Sequence, residues 1–205
     1  MNPQQLDALN RKQLCETLRQ GILACRICAP RFGFKPAPVV FGHAHASIMQ
    51  ISQAPSATVH RTGKPFNDLS GQRLRHNWYE ISDETFYNED NFYIASLAHC
   101  FPGKTPSGGD RPPPACCAKL WLDREIEVVD NKIYVVIGGM AARYLFSKQD
   151  YNELIFSDNT LNGKPAYVLP HPSPLNVKWF IDHPTFETER MPVIRRAVQE
   201  ALASV

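Results

Sequence analysis

Four short runs rich in β-branched and aromatic residues, at 47–51, 92–97, 133–137 and 166–169, are each bounded by turn-forming residues. Their length and near-continuous apolar character are those of strands buried on both faces. Stretches with helical apolar spacing, at 69–78, 118–129 and 141–146, lie between them. A chain that alternates strand and helix in this way is expected to form a three-layer α/β/α fold around a central, mainly parallel, four-stranded sheet. In such sheets ligands bind beyond the carboxyl ends of the strands, so the segments that follow each run are where function is to be sought.

The 205 residues suffice for one hydrophobic core, and residues 1–205 are read as a single domain. Leu6, Leu9, Leu14, Leu18 and Ile22 predict a helix over 3–23 with one apolar stripe, and Ile194, Val198 and Leu202 predict another over 192–202. No run approaches the ~18 apolar residues of a membrane span, and the amino terminus lacks the basic and apolar segments of a secretory leader, so a soluble, cytoplasmic protein is expected. With 22 Lys+Arg against 20 Asp+Glu, the net charge of +2 is far from that of a nonspecific nucleic-acid coat. Any contact with nucleic acid must come from a local basic patch.

Six cysteines without an export signal are expected to be thiols or metal ligands, not a disulfide framework. Cys25 and Cys28 form a C-x-x-C pair, Cys100 follows the second run, and Cys116 and Cys117 stand together after a proline-rich loop. Four such thiolates can meet in space and suit zinc or an iron–sulfur cluster, between which spacing does not choose. Cys15, one residue past Leu14, reads as a small packed residue of the first helix.

Three runs lead into loops with distinctive chemistry. The first is followed by Ser52-Gln53-Ala54-Pro55-Ser56 and then by His60-Arg61-Thr62-Gly63-Lys64-Pro65-Phe66-Asn67-Asp68. The second ends in Ala98-His99-Cys100-Phe101-Pro102-Gly103, and the fourth in His171-Pro172-Ser173-Pro174-Leu175-Asn176. Taken in this order with the C-x-x-C pair and the later cysteine before a helix, these elements resemble the uracil-DNA glycosylase superfamily, in particular its iron–sulfur-containing branch of family 4 and family 5 type.

That resemblance implies an enzyme that hydrolyses the N-glycosidic bond of a uracil, or another deaminated base, flipped out of DNA, working as a monomer with no membrane partner. Phe66 then matches the aromatic face on which the base stacks, and His171 the histidine that hydrogen-bonds the departing base. Gln53 and Ala54 match the loop facing the base and the attacking water. Ser96 stands where many members read the uracil edge with asparagine. Ser173, with the backbone of 172–174, is a candidate to hold a phosphate. The implied ligands of a structural [4Fe–4S] cluster, with zinc as the alternative, are Cys25, Cys28, Cys100 and Cys117. Cys117-Ala118-Lys119-Leu120-Trp121 looks like the family's helix start, although counting from Cys100 favours Cys116.

The chain also departs from the family. Where family 4 has Gly-Glu-Ala-Pro-Gly, it has Ser52, Gln53 and Ser56, so the loop holds no carboxylate; Asp68 and Asp110 are the nearby candidates to position water. Arg61, Lys64, Arg73, Arg75, Lys104 and Arg111 are candidates to grip DNA. Plainer readings make Phe66 a core-filling loop residue, His171 a turn residue and the basic groups solvated charge. Three other functions fit parts of the pattern: a glycosylase-fold binder of damaged or single-stranded DNA, a thiol redox protein, and covalent capture of an abasic sugar by a loop histidine. The last is disfavoured because residues 101–114 contain no histidine.

Overall fold

The computed structural model describes residues 3–203. Strands β1 (Ile48–Ser52), β2 (Phe92–Ser96), β3 (Ile133–Ile137), β4 (Asn159–Leu161) and β5 (Lys164–Leu169) form one sheet in the order β2-β1-β3-β5-β4. β1 runs parallel to β2 and β3, with Ile48 opposite Phe92 and Ile133, and β3 runs parallel to β5 with Tyr134 opposite Ala166. The sheet therefore has five strands where four were expected. The extra strand, β4, pairs antiparallel with β5 at the edge and has no fully buried residue, so it carries no apolar run. Its signature is Asn162-Gly163, with φ of 50° and 76°, the left-handed pair that a two-residue hairpin turn requires.

Alternation along β2 separates the two helical layers, because successive side chains of a strand point to opposite faces. Phe92 packs on Phe86 and stacks on Tyr79, whereas the Tyr93 hydroxyl donates to Glu125 Oε1 at 2.8 Å. The first face is covered by Arg73–Tyr79, against which Met191–Ala203 packs; the second carries Asp123–Val128, against which Pro3–Ala24 packs. All five residues of β3 are buried between these layers.

The first helix turns a different line inward from the one its leucines suggest. Cys15 and Ile22 are buried with Leu18 half-buried, while Leu6, Leu9 and Leu14 are exposed, because the helix meets its neighbour along a single edge. Cys15 is thus the packed residue expected of it. Met191, Ile194, Val198 and Ala201 bury the last helix as its periodicity requires.

Both ring nitrogens of buried His99 face acceptors, Val39 O at 3.1 Å and Glu125 Oε2 at 2.9 Å. Burial opposes the charged ring, and the Glu125 carboxylate outweighs it, raising the His99 pKa. This pair ties the segment that leads to Cys100 onto the helical layer beneath it.

Candidate active site

Beyond the carboxyl ends of the strands lies a cavity of about 280 Å³. Gln53, Ala54, Phe66, Ser96, His171 and Ser173, the residues singled out from the sequence for substrate and catalysis, all line it. The volume sits at the small end of ligand sites and suits one base rather than a dinucleotide.

Phe66 is held in a backbone conformation that only local support explains. Its φ is 52°, a region that non-glycine residues rarely occupy. The buried Arg75 guanidinium donates to Phe66 O at 2.8 Å and Tyr87 Oη donates to Pro65 O at 3.1 Å. Gly71 makes room for the same carbonyl, since a Cβ there would stand 1.7 Å from Phe66 O. The ring meets Phe86 edge-on at 6.2 Å and closes one wall of the cavity.

His171 follows β5, where the loop folds back on itself. The Ser173 N–H donates to His171 Nδ1 at 3.2 Å, Asn176 Nδ2 donates to His171 O at 3.1 Å, and the Leu175 N–H donates to Ser173 Oγ at 3.2 Å. The ring reaches solvent through the cavity mouth, and protein on its other sides lowers its pKa below the ordinary 6.5, against the pull of the Asp68 and Asp110 carboxylates. Ser173 accepts through its oxygen and so keeps a proton to donate.

Ser96 is buried, and its hydroxyl donates to Ala98 O at 2.7 Å. With its proton committed, the group presents only oxygen lone pairs to the cavity.

The β1 loop holds no carboxylate, but the cavity wall carries two, Asp68 and Asp110. Asp68 caps Leu69–Gln72 by accepting the Gly71 N–H at 3.0 Å, and it accepts the Ser56 hydroxyl at 2.8 Å. Asp110 is instead paired with Lys104 at 2.6 Å.

The basic patch is smaller than the sequence suggests. Arg75 is consumed by Asp83 and Phe66 O, and Arg73 by Glu187 at 2.6 Å and the Phe180 ring at 4.1 Å. Arg111 donates to Phe32 O, and Lys104 faces Asp110. Of the six candidates, Arg61, Lys64 and Arg111 remain exposed with no carboxylate partner among the described residues, and of these Arg111 is tied to a backbone carbonyl. One feature went unread in the sequence: Leu175, 93% exposed, projects from the His171 loop beside the cavity. Its place directly after His171-Pro172-Ser173-Pro174 was the available signal.

Five thiols gather on the far side of the β2 end. Cys25, Cys28, Cys100 and Cys117 line one apolar pocket with Trp121 and Pro114, while Cys116 is exposed with its Sγ 4.0 Å from that of Cys28. Burial, joined by the neighbouring thiols, pushes Cys28 up to about 11 and Cys117 up to about 12. Crowded thiols that resist ionisation are the setting a cationic centre compensates. Among the described residues no three of these sulfurs lie within 4.8 Å of one another. Ligands of one zinc ion, at about 2.3 Å from the metal, cannot be more than ~4.6 Å apart, so the set as it stands is wider than a single ion.

Residues 39–195 match the uracil DNA glycosylase superfamily. The chain belongs to that superfamily. It is 27% identical over 154 residues to the type-4 uracil-DNA glycosylase of Sulfurisphaera tokodaii, a match spanning 75% of this chain and 66% of that one, just under two thirds. Identity to the type-4 uracil-DNA glycosylase of Thermotoga maritima is 23% over 168 residues, covering 80% and 83% of the two chains. The superfamily match takes in the whole cavity wall, from β1 to the His171 loop, and Cys100, Cys116 and Cys117, but not the C-x-x-C pair.

Proposed function

We propose that this superfamily member is a DNA glycosylase that hydrolyses the N-glycosidic bond of a flipped-out uracil or related deaminated base. The observation that carries the reading is the pairing, across one cavity, of the Phe66 ring with a His171 whose Nδ1 is occupied by the Ser173 N–H. The extruded base loses its stack and its pairing, and Phe66 replaces the first. His171, left with Nε2 as its proton-bearing nitrogen, donates to the base oxygen on which charge builds as the bond breaks, the largest stabilising effect expected of such a site.

Ser96 supplies discrimination. Deamination converts a ring nitrogen that accepts into an N–H that donates, and the Ser96 oxygen, its own proton held by Ala98 O, accepts from that N–H. Cytosine would set a lone pair against it. Asp68 offsets the positive charge that grows on the sugar and orients the attacking water, with Gln53 assisting, while Ser173, Arg61 and Lys64 hold phosphates.

Cys25, Cys28, Cys100 and Cys117 would hold an iron–sulfur cluster, for which the apolar lining and the spread of the sulfurs suit a centre larger than one zinc ion. When bound, that cluster ties the C-x-x-C turn and the helix beginning at Ala115 to the end of β2. The reading is tested by incubating the protein with uracil-containing single- and double-stranded oligonucleotides and treating with alkali. Strand scission at uracil, absent with cytosine, is expected; tight binding without scission at uracil, hypoxanthine or xanthine would make the protein a binder instead.

A further inference from the structure

We propose that His43, His45 and Asp90 form a binding site for a divalent first-row transition cation, at the opposite end of the sheet from the cavity. His43 Nδ1 and His45 Nε2 lie 2.7 and 3.1 Å from the same atom, Asp90 Oδ1, and one ligand atom from each residue falls within 4.8 Å of the other two. Metal–ligand bonds of about 2.0–2.2 Å place neighbouring ligands of a tetrahedral ion roughly 3.4 Å apart. Rotation of exposed side chains suffices to close these three around one ion.

Glu89 adds an independent feature. Its Oε2 stands 3.7 Å from Nε2 of His43, the nitrogen that does not face Asp90, where a carboxylate orients a ligating imidazole. Glu89 is itself held by Arg19 at 3.2 Å and by the Gly42 N–H at 3.4 Å.

The backbone beneath is already fixed. The His43 N–H donates to Glu89 O at 2.9 Å, the Ser47 N–H to Asp90 O at 2.9 Å, and the Asp130 N–H to Ala44 O at 2.7 Å. Ala44 and Ala46 are buried while His43 and His45 are exposed, so alternation turns both imidazoles outward on the same side. Gly42, with φ of 109°, lets the loop lie against β2, since a Cβ there would stand 2.4 Å from Tyr93 Cα.

Two imidazoles and one carboxylate select zinc, copper, nickel or cobalt over magnesium or calcium. The cation takes the place of the proton between His43 and Asp90, which is released to solvent, and water completes the coordination. Because His45 precedes β1 and Asp90 precedes β2, the ion bridges the amino ends of two adjacent parallel strands and touches no group of the cavity. It therefore acts on stability, not on turnover.

The test is calorimetric titration of tag-free, anaerobically purified protein with Zn²⁺, with iron content measured in parallel. One zinc per chain and a raised melting temperature are expected. His45→Ala should weaken binding by more than about 10-fold and Glu89→Gln by about 10-fold, each with unchanged iron content. Undiminished binding in the His43→Ala/His45→Ala double variant would assign the zinc to the cysteines and overturn the proposal, as would no binding at all or equal affinity for Mg²⁺.

Discussion

The backbone N–H of Ser173 donates to Nδ1 of His171 across 3.2 Å. A ring nitrogen that accepts carries no proton, so the neutral ring keeps its proton on Nε2. Burial favours that neutral form, holding the pKa below 6.5 against the nearby Asp68 and Asp110 carboxylates. Protonation would put a hydrogen on Nδ1 and break the contact that sets the loop. Single-turnover rates should therefore be level at neutral pH and fall as acid drives the ring through a pKa below its ordinary value. His171→Ala should cost on the order of 10²–10³ in rate and abolish that limb. A limb lying above 6.5, or near-normal turnover of the variant, would remove His171 from this role.

Asp68 serves as both helix cap and cavity carboxylate, and one substitution separates the two. Asparagine caps a helix as well as aspartate does: its Oδ1 can still accept the Gly71 N–H, and its Nδ2 donates to the Ser56 oxygen where the carboxylate accepted the Ser56 hydroxyl. Asp68→Asn should leave the melting temperature nearly unchanged and lower the single-turnover rate by about 100-fold or more. Asp110→Asn should cost less, because Lys104 already neutralises that carboxylate at 2.6 Å. The reverse ranking would transfer the role to Asp110.

Why some of this was legible in the sequence and some not follows from the kinds of interaction involved. β1, β2, β3 and β5 announce themselves because parallel strands covered on both faces are apolar, and the loops that follow them must then converge at one edge. β4 is silent because, unlike β2 at the other edge, it has no fully buried residue and so needs no apolar run. Phe66 and His171 could be named from local motifs, but the state of each depends on distant partners: Arg75 and Gly71 for the Phe66 backbone, and the Ser173 N–H for the His171 tautomer. Arg73 and Arg75 look like DNA contacts in the chain and are spent on Glu187 and Asp83 in the fold. The sequence shows a charge without showing what neutralises it.

The adjacent cysteines Cys116 and Cys117 make a decisive pair of variants. Cys117 lines the apolar pocket with Cys25, Cys28 and Cys100, whereas Cys116 is exposed, with its sulfur 4.0 Å from that of Cys28. Cys117→Ser should yield colourless protein with little bound iron and a lowered melting temperature. Cys116→Ser should keep both iron and visible absorbance. Loss of iron from Cys116→Ser with retention in Cys117→Ser would exchange the two assignments.

Leu175 bears on how the base is brought to the cavity. The side chain is wholly apolar and 93% exposed, yet the loop beneath is closed by the Asn176 N–H to Ser173 O at 3.0 Å and the Leu175 N–H to Ser173 Oγ at 3.2 Å. Apolar side chains presented in this manner enter duplexes as wedges, filling the space a flipped nucleotide leaves and offsetting part of the unstacking cost. A single strand has no stack to hold open. Leu175→Ala should accordingly lower kcat/KM on uracil in duplex DNA by about 10-fold, equivalent to ~1.4 kcal/mol, with single-stranded substrate processed within about 2-fold of the parent rate. Leu175→Met, similar in size and polarity, should restore the duplex rate. Equal losses on both substrates would instead make Leu175 a support for the His171 loop, and the pH profile of the variant would then shift with it.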